Sequence, residues 1–500
     1  MTTRARDAWV LIATIVASSL AFIDGTVVTL ALPQIQRQFH ASASDVAWIV
    51  ELYTLVVGSL ILLGGALGDR YGRRRIFSLG TTLFALGSIG CAFASSIPTM
   101  LAARVFQGIG GMLVVPGSLA IIGAHFTGES RNRAIAAWSA FGALTGTLGP
   151  MLGGVLIDTV GWRWVFWINV PLAALVLYAC AFHISESRDE LAPKKLDVIG
   201  AALVTLGLGA LTYALIASAQ LRLNNPVLLG AAIGSVVFLV GFVLYESRAR
   251  NPLVPASLFA SRTFGSINLS TLLLYGALGG IFYEMPFAMI QGHGYRAIQT
   301  AFATLPGILG VALLARVGTS LARRFGTRIV LTIGPAIVCC GFALIAILER
   351  NANYVESFLP GVILFGLGMG ITVAPLTAGV IDAAGKANVG IASGINNAVA
   401  RVAGLITIAA LTAVLVAAYN HRFDRDISTI RTTPAQSAAI AQQRDRLGGA
   451  RYADPALQKA SFDAFHAGFS TIAFTCAALA LLAAVVNFAG VDDRELRSEV

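Results

Sequence analysis

The chain has 500 residues, 56% of them hydrophobic and only 12% charged, with a mean hydropathy of +0.77. A soluble domain carries about 25% charged residues, so this composition cannot cover a soluble surface of that size and fits a chain solvated largely by lipid. The net charge of +10 does not point to nucleic acid, because the basic residues sit in short gaps between apolar runs rather than in one patch.

A membrane-crossing helix needs about 20 mainly apolar residues. Fourteen segments qualify, near 8–31, 46–67, 76–96, 99–122, 133–157, 162–184, 196–217, 226–246, 264–290, 299–320, 327–348, 355–380, 387–417 and 464–490. They are too long and too uniformly apolar for barrel strands, which predicts an all-α polytopic membrane protein. The first run is too long for a secretory leader and ends at Pro33 without a small-residue cleavage pattern, so no cleavable signal peptide is expected.

Basic residues alternate along the chain. With the N-terminus placed inside, the inner gaps hold twenty Lys and Arg residues, including Arg73, Arg74, Arg75, Lys194, Lys195, Arg250, Arg323 and Lys386. The short outer loops hold five: Arg37, Arg163, Arg222, Arg296 and Arg350. By the positive-inside rule this predicts an even span count with both termini cytoplasmic. One outer segment, about 418–462, is long and polar. Within it Thr433-Pro434 and Gly448-Gly449 frame a short helix, and the segment reads as a solvated connector. The five cysteines lie in apolar runs and read as small hydrophobes. The six histidines are dispersed at span ends and in the outer loop, so no metal site is expected.

Ionisable groups inside spans cost about 2.5–3.5 kcal/mol each even on lenient scales, which makes them functional candidates by default. Asp24, Glu51 and Arg104 fall at a similar depth below the outer edge of spans 1, 2 and 4. Two carboxylates near one guanidinium could share charge and exchange a proton, with the cation tuning the acid. A static buried ion pair is the alternative. Glu284 in span 9, between Tyr283 and Pro286, could bind a cationic amine or face interfacial water. Arg401, with Asn396 and Asn397 one turn earlier, marks a polar cluster in span 13 that either lines a cavity or joins helices. Tyr53, Gln107, Glu284, Asn396 and Arg401 are the candidate cavity residues.

The chain repeats itself. Gly64-Gly65-Ala-Leu-Gly-Asp69-Arg70-Tyr71-Gly72-Arg73-Arg74-Arg75 follows span 2, and Gly318-Thr-Ser-Leu-Ala-Arg323-Arg324-Phe325-Gly326-Thr327-Arg328 follows span 10. Aligned without gaps, Gly64 meets Gly318, Gly72 meets Gly326 and Arg74 meets Arg328, while Asp69 meets Arg323. Spans 2 and 10 therefore correspond, and the layout is six, two and six spans. Duplicated halves suggest a transporter with its site between them. The predicted division is 1–188, 189–255 and 256–500. Asp69 could cap a helix or pair with an arginine as a latch, or the basic loop could simply anchor to lipid headgroups.

These motifs together resemble the major facilitator superfamily, and within it the fourteen-span drug:proton antiporters. Gly65, Asp69, Arg70, Gly72, Arg73 and Arg74 match the signature loop after span 2. Ile23-Asp24-Gly25-Thr26-Val27-Val28 and Ala31-Leu32-Pro33 resemble the span 1 motif, and Arg104-Val-Phe-Gln107-Gly108-Ile-Gly110-Gly111 the span 4 motif. Gly146, Gly149, Pro150, Gly153 and Gly154 resemble the span 5 motif associated with antiport, and Trp162 to Pro171 is similar as well. The resemblance implies the major facilitator fold and proton-coupled efflux of lipophilic, cationic drugs across a bacterial inner membrane by a monomer. It implies no cofactor beyond the coupling proton, and it allows a periplasmic adaptor that no residue here specifies. Glu284 departs from the family pattern, which is apolar there. No Gly-Lys-Ser/Thr nucleotide loop and no reactive constellation are present, so neither an enzyme nor an ATP-driven pump is expected. Carriage of a physiological solute or lipid is the alternative, with a transporter-like sensor or channel more distant.

Overall fold

The computed structural model describes residues 3–189, 197–219, 221, 224–249, 256–350, 353–385 and 389–497. Lys194, Lys195, Arg222, Arg250 and Lys386 of the charge pattern lie outside the described residues. The described chain is helical, with no strand among its residues. Among the described residues, fourteen helices are long and apolar enough to cross a membrane. Helices satisfy every backbone donor and acceptor internally, which hydrocarbon demands.

The first six crossings are α1 Thr3–Phe39, α2 Ala43–Tyr71, α3 Arg73–Phe93, α4 Ile97–His125, α5 Gly128–Thr159, and the pair α6 Trp164–Trp167 and α7 Asn169–Phe182. Next come α8 Val198–Ala217 and α9 Pro226–Glu246. The last six are α10 Arg262–Phe287, α11 Ala297–Phe325, α12 Thr327–Leu348, the pair α13 Tyr354–Ser357 and α14 Leu359–Ala384, α15 Val389–Ile427, and α17 Pro455–Gly490. Between α15 and α17 stands α16 Pro434–Gln443, and α18 Asp493–Arg497 closes the chain. A π-helical turn, Ala288–Gly292, extends α10.

Several starts follow local chemistry. Ser42 and Asp45 form a reciprocal capping box on α2, and Ser96 and Thr99 form one on α4. Thr433 and Gln436 do the same for α16, with Pro434 at its first turn, as the sequence predicts. The polar connector is shorter than 418–462, because α15 runs on to Ile427 and α17 starts at Pro455. The spanning helices carry several polar turns beyond the apolar core that hydropathy detects.

Within the first six crossings α3 packs on α4, α2 on α4 and α1 on α5; within the last six α11 and α12 pack on α14 and α10 on α17. The pair α8–α9 lies against α2 and α15 through a cluster of Leu55, Leu208 and Leu405. Only Leu228, Ser235 and Glu246 of α9 are buried, and its outward residues, such as Ile233 and Val243, are exposed as lipid-facing side chains would be. The two large groups meet through α5 with α11 and α2 with α15.

Small residues set these close contacts. A Cβ on Gly366 in α14 would come 2.6 Å from the carbonyl oxygen of Gly307 in α11, and one on Gly310 would come 2.9 Å from the Gly366 carbonyl carbon. Backbone cannot yield as a side chain tip can, so overpacking here costs about 1–3 kcal/mol. Gly366→Ala is expected to lower the unfolding temperature in detergent. Gly230→Ala on α9, with nothing within 4 Å, is expected to leave it unchanged.

Candidate functional site

The polar residues of α1, α2, α3 and α4 converge in the first group of helices. Asp24 is 2% exposed, Arg104 1% and Glu51 0%. Arg104 Nη1 donates to Asp24 Oδ2 at 2.6 Å and to Gln107 Oε1 at 2.7 Å, and Arg104 Nε donates to the Ile49 carbonyl at 2.7 Å. Gln107 Nε2 donates to Asp24 Oδ1 at 2.7 Å and to Ser88 Oγ at 3.0 Å, and Asn169 Nδ2 reaches the same hydroxyl at 3.2 Å. The guanidinium lies 4.5 Å from the centre of the Tyr53 ring. Each carboxylate oxygen of Asp24 thus accepts a hydrogen bond, and the cation is met by an anion, two further acceptors and an aromatic face.

Glu51 is placed differently from the shared cluster that its depth suggests. Both its carboxyl oxygens are buried with no hydrogen-bond partner among the described residues. Asp24 alone takes the arginine. A buried polar group without a hydrogen-bond partner is costly, which sets Glu51 apart from the satisfied Asp24.

A cavity of about 590 Å³ lies between the two groups of helices. Its walls come from α1 (Gly25, Thr26, Thr29, Leu30), α2 (Val50, Thr54), α5 (Gly146, Pro150), α10 (Gly279, Phe282, Tyr283, Met285, Pro286), α11 (Thr300, Ala301, Thr304, Ile308, Val311, Ala312), Phe365 and Ile408. The hydroxyls of Thr26, Thr29, Thr300 and Thr304 donate to carbonyls three or four residues back in their own helices. They spend their donors locally and leave a mostly apolar surface. Such a chamber is sized for a drug-like molecule, since ligand pockets run about 300–1,000 Å³.

None of the five residues predicted to line a cavity lines this one. Tyr53 and Gln107 belong to the Arg104 network. Glu284 faces a small neighbouring pocket with Gln36, Gln291 and Thr412, and Tyr283 stands on the walls of both. Asn396 donates to Asn268 and Thr271 of α10 at 3.3 and 2.8 Å, joining helices. Arg401 packs its Cβ side near Gly58 of α2. Of the span 5 motif, Gly146 and Pro150 reach the cavity. Gly149 and Gly153 face Thr26 and Val27 of α1, and Gly154 faces the Ile298 backbone of α11.

The end of the bundle that carries α16 is held shut. Asp158, at the end of α5, accepts from the Ala297 and Ile298 amides at 3.2 and 2.9 Å, capping α11 across the two groups. Gln36 of α1 accepts from Gln291 at 2.8 Å and donates to the Arg446 carbonyl at 3.3 Å. These hydrogen bonds, with the Arg296–Asp158 ion pair, join the two groups at the loop-bearing end.

At the opposite, terminus-bearing end each repeat loop folds onto its own group. Gly72 and Gly326 sit at φ 112° and 95°, a region that favours glycine, and so join successive helices with almost no loop. Asp69 does not cap α3 but pairs with Arg73 at 2.7 Å. Glu186, which follows α7, caps α3 through the Arg74 and Arg75 amides at 3.0 and 3.2 Å. The second loop, which lacks an acid at Arg323, borrows one in the same way: Asp493, which follows α17, accepts from the Thr327 and Arg328 amides at 2.8 and 3.1 Å. Nearby, hydrogen bonds from Thr263 and Ser261 hold the Glu495 carboxyl below the usual range. Asp158, Glu186 and Asp493 were missed by motif reading, although each lies at or just beyond the end of a span, where an acid can cap a helix start. The histidines are less dispersed than their spacing suggests, since His293 and His466 flank Glu349.

A family model described as Major Facilitator Superfamily matches residues 14–408, and the chain belongs to that superfamily. It is 31% identical over 437 residues to "Multidrug resistance protein Stp" of Mycobacterium tuberculosis (strain CDC 1551 / Oshkosh), covering 86% of this chain and 80% of that protein. It is 30% identical to "Tetracenomycin C resistance and export protein" of Streptomyces glaucescens, covering 86% and 80%. It is 32% identical to "Methylenomycin A resistance protein" of Bacillus subtilis (strain 168), covering 79% and 85%. A crystal structure of a bacterial homolog to the human lysosomal transporter Spinster, in an inward-facing and occupied conformation, superposes with a TM-score of 0.65 at 17% identity, over 98% of each chain. That likeness is one of fold. The chain is therefore a multi-pass transporter of this superfamily and not an enzyme.

Removing one partner of a buried ion pair strands the other, at a cost of about 3–5 kcal/mol. Arg104→Ala is expected to lower the unfolding temperature strongly, and Asp24→Asn in the same chain to recover part of the loss. Thermal unfolding of the single and double variants measures this coupling.

Proposed function

We propose that this transporter exports lipophilic, drug-like molecules in exchange for protons, alternating between a cavity open to the terminus-bearing side and one open to the loop-bearing side. The observation that carries the reading is the mostly apolar cavity between the two helix groups, with the Asp24–Arg104–Gln107 network and the unpartnered Glu51 in the adjoining helices. The exporters named above support the substrate class. In this reading Glu51 carries the coupling proton and the Asp24–Arg104 pair positions α1 against α4. Protons moving inward release about 2.3 kcal/mol per 100 mV of potential, in addition to the pH gradient.

The division into 1–188, 189–255 and 256–500 is proposed as two moving six-helix bundles and an accessory pair. The alternation of basic gaps supports cytoplasmic termini in an inner membrane. A lone chain is sufficient for this mechanism, because the cavity is built from one chain. The preference for cationic substrates expected from Glu284 has no support in the cavity wall, which carries no acid among its lining residues.

Vesicles reconstituted with the purified protein test the proposal. An imposed pH gradient is expected to drive accumulation of a lipophilic dye, and a protonophore to abolish it. Dye movement indifferent to the gradient would contradict proton coupling. Glu284→Gln is expected to leave the substrate range unchanged, as judged by inhibition of dye transport with cationic and neutral drugs. Asp158→Ala is expected to open the loop-bearing end, raising several-fold the rate at which a membrane-impermeant thiol reagent added on that side labels Thr304→Cys.

A further inference from the structure

One carboxylate and two imidazoles meet at the loop-bearing end, within the last six crossings and away from the cavity walls. Glu349 follows α12, His293 follows the π-helical turn of α10, and His466 stands early in α17. The π turn places His293, whose amide donates to the Ala288 carbonyl at 3.1 Å, and such turns are frequent at functional sites. The Glu349 side chain has no exposure, that of His466 5% and that of His293 6%.

Hydrogen bonding satisfies only part of this set. His466 Nδ1 lies 2.6 Å from Glu349 Oε2, whereas His293 Nε2 lies 3.9 Å from the same oxygen, beyond hydrogen-bond reach. Glu349 Oε1 and His293 Nε2 are buried with no partner among the described residues. A proton on either ring serves one pair and leaves these two atoms unmet. A cation that accepts electron pairs from both nitrogens and the carboxylate serves all three. The three donor atoms lie within 4.8 Å of one another.

We propose that His293, Glu349 and His466 form a binding site for a divalent transition-metal ion of the zinc type. Two imidazoles and one carboxylate suit zinc and its neighbours, whereas calcium and magnesium prefer oxygen donors throughout. Three protein ligands leave a fourth position for water or another ligand. Metal bonds of about 2.0–2.2 Å require the donors to draw inward. His293, which follows the π turn, has the farther to move, since its Nε2 lies 3.9 Å from the Glu349 oxygen against 2.6 Å for His466 Nδ1. The ring of Phe462 stands 4.4 Å from that of His466, and the ring of Phe358 5.7 Å from that of His293, as an apolar shell. An ion here ties α10, α12 and α17 together and stabilises them by binding only the folded state.

The test uses the full-length protein in detergent, freed of any polyhistidine tag and stripped with a chelator. Zinc is titrated against a chromophoric competitor, and cobalt is followed by its visible absorption. One zinc per chain is expected, with a cobalt band of low coordination number and a rise in unfolding temperature. His293→Ala is the mildest change, and its unfolding without metal shows that it folds. It is expected to weaken zinc at least tenfold, and Glu349→Gln to do the same. Absence of stoichiometric zinc in the wild type, or equal zinc affinity in folded His293→Ala, would overturn the site.

Discussion

An arginine inside a lipid-embedded bundle must find an anion and further acceptors, or leave a charge whose burial costs several kcal/mol. Arg104 finds Asp24, the Ile49 carbonyl, Gln107 and the face of Tyr53. Residues from α1, α2 and α4 are thereby held in one arrangement, and Ser88 of α3 joins through Gln107. The same arrangement decides what is left over. Asp24 spends both oxygens on this network, so Glu51, buried in the same group of helices, stands without a partner. The proposed division of labour, a fixed ion pair and a separate proton carrier, follows from that asymmetry.

The cavity's chemistry follows from lipid-compatible packing. Threonine hydroxyls that bond within their own helices can line a chamber without asking a substrate for hydrogen bonds. Small residues let α5 approach α1 at Gly149 and Gly153 and α11 at Gly154, while Gly146 and Pro150 remain on the chamber wall. Asp158 then fixes the approach by capping α11 from the opposite group. Hydrogen bonds from Asp158 and Gln36 at helix ends are a closure that can be broken without unfolding a helix, which suits an end that must open in the proposed cycle.

The fourteen spans were legible because hydrocarbon forces long apolar helices, and the repeat was legible because Gly72 and Gly326 both demand a left-handed turn. The Asp24–Arg104 pairing was within reach, since equal depth in adjacent spans brings opposite charges together. Depth alone places Glu51 with the pair, but its lack of a hydrogen-bond partner there depends on side-chain placement around the α2 axis, which a hydropathy pattern does not show. The candidate cavity residues lie off the walls of the large chamber for a related reason. Polar side chains attract notice in a span, yet Gln107 and Asn396 spend their polarity on neighbouring helices, Tyr53 gives its ring face to Arg104, and the chamber is lined by unremarked threonines and apolar groups. Glu186 and Asp493 act on loops far away in sequence, and His293, Glu349 and His466 meet only once three helix ends are in place.

The most direct test of the central claim counts protons on substrate binding. Purified wild type in weakly buffered detergent solution, mixed with a lipophilic substrate, is predicted to release about one proton per molecule bound, read with a pH-sensitive dye. The account predicts that Glu51→Gln still binds the substrate and releases none. Undiminished release from Glu51→Gln would place the coupling proton elsewhere and contradict the assignment.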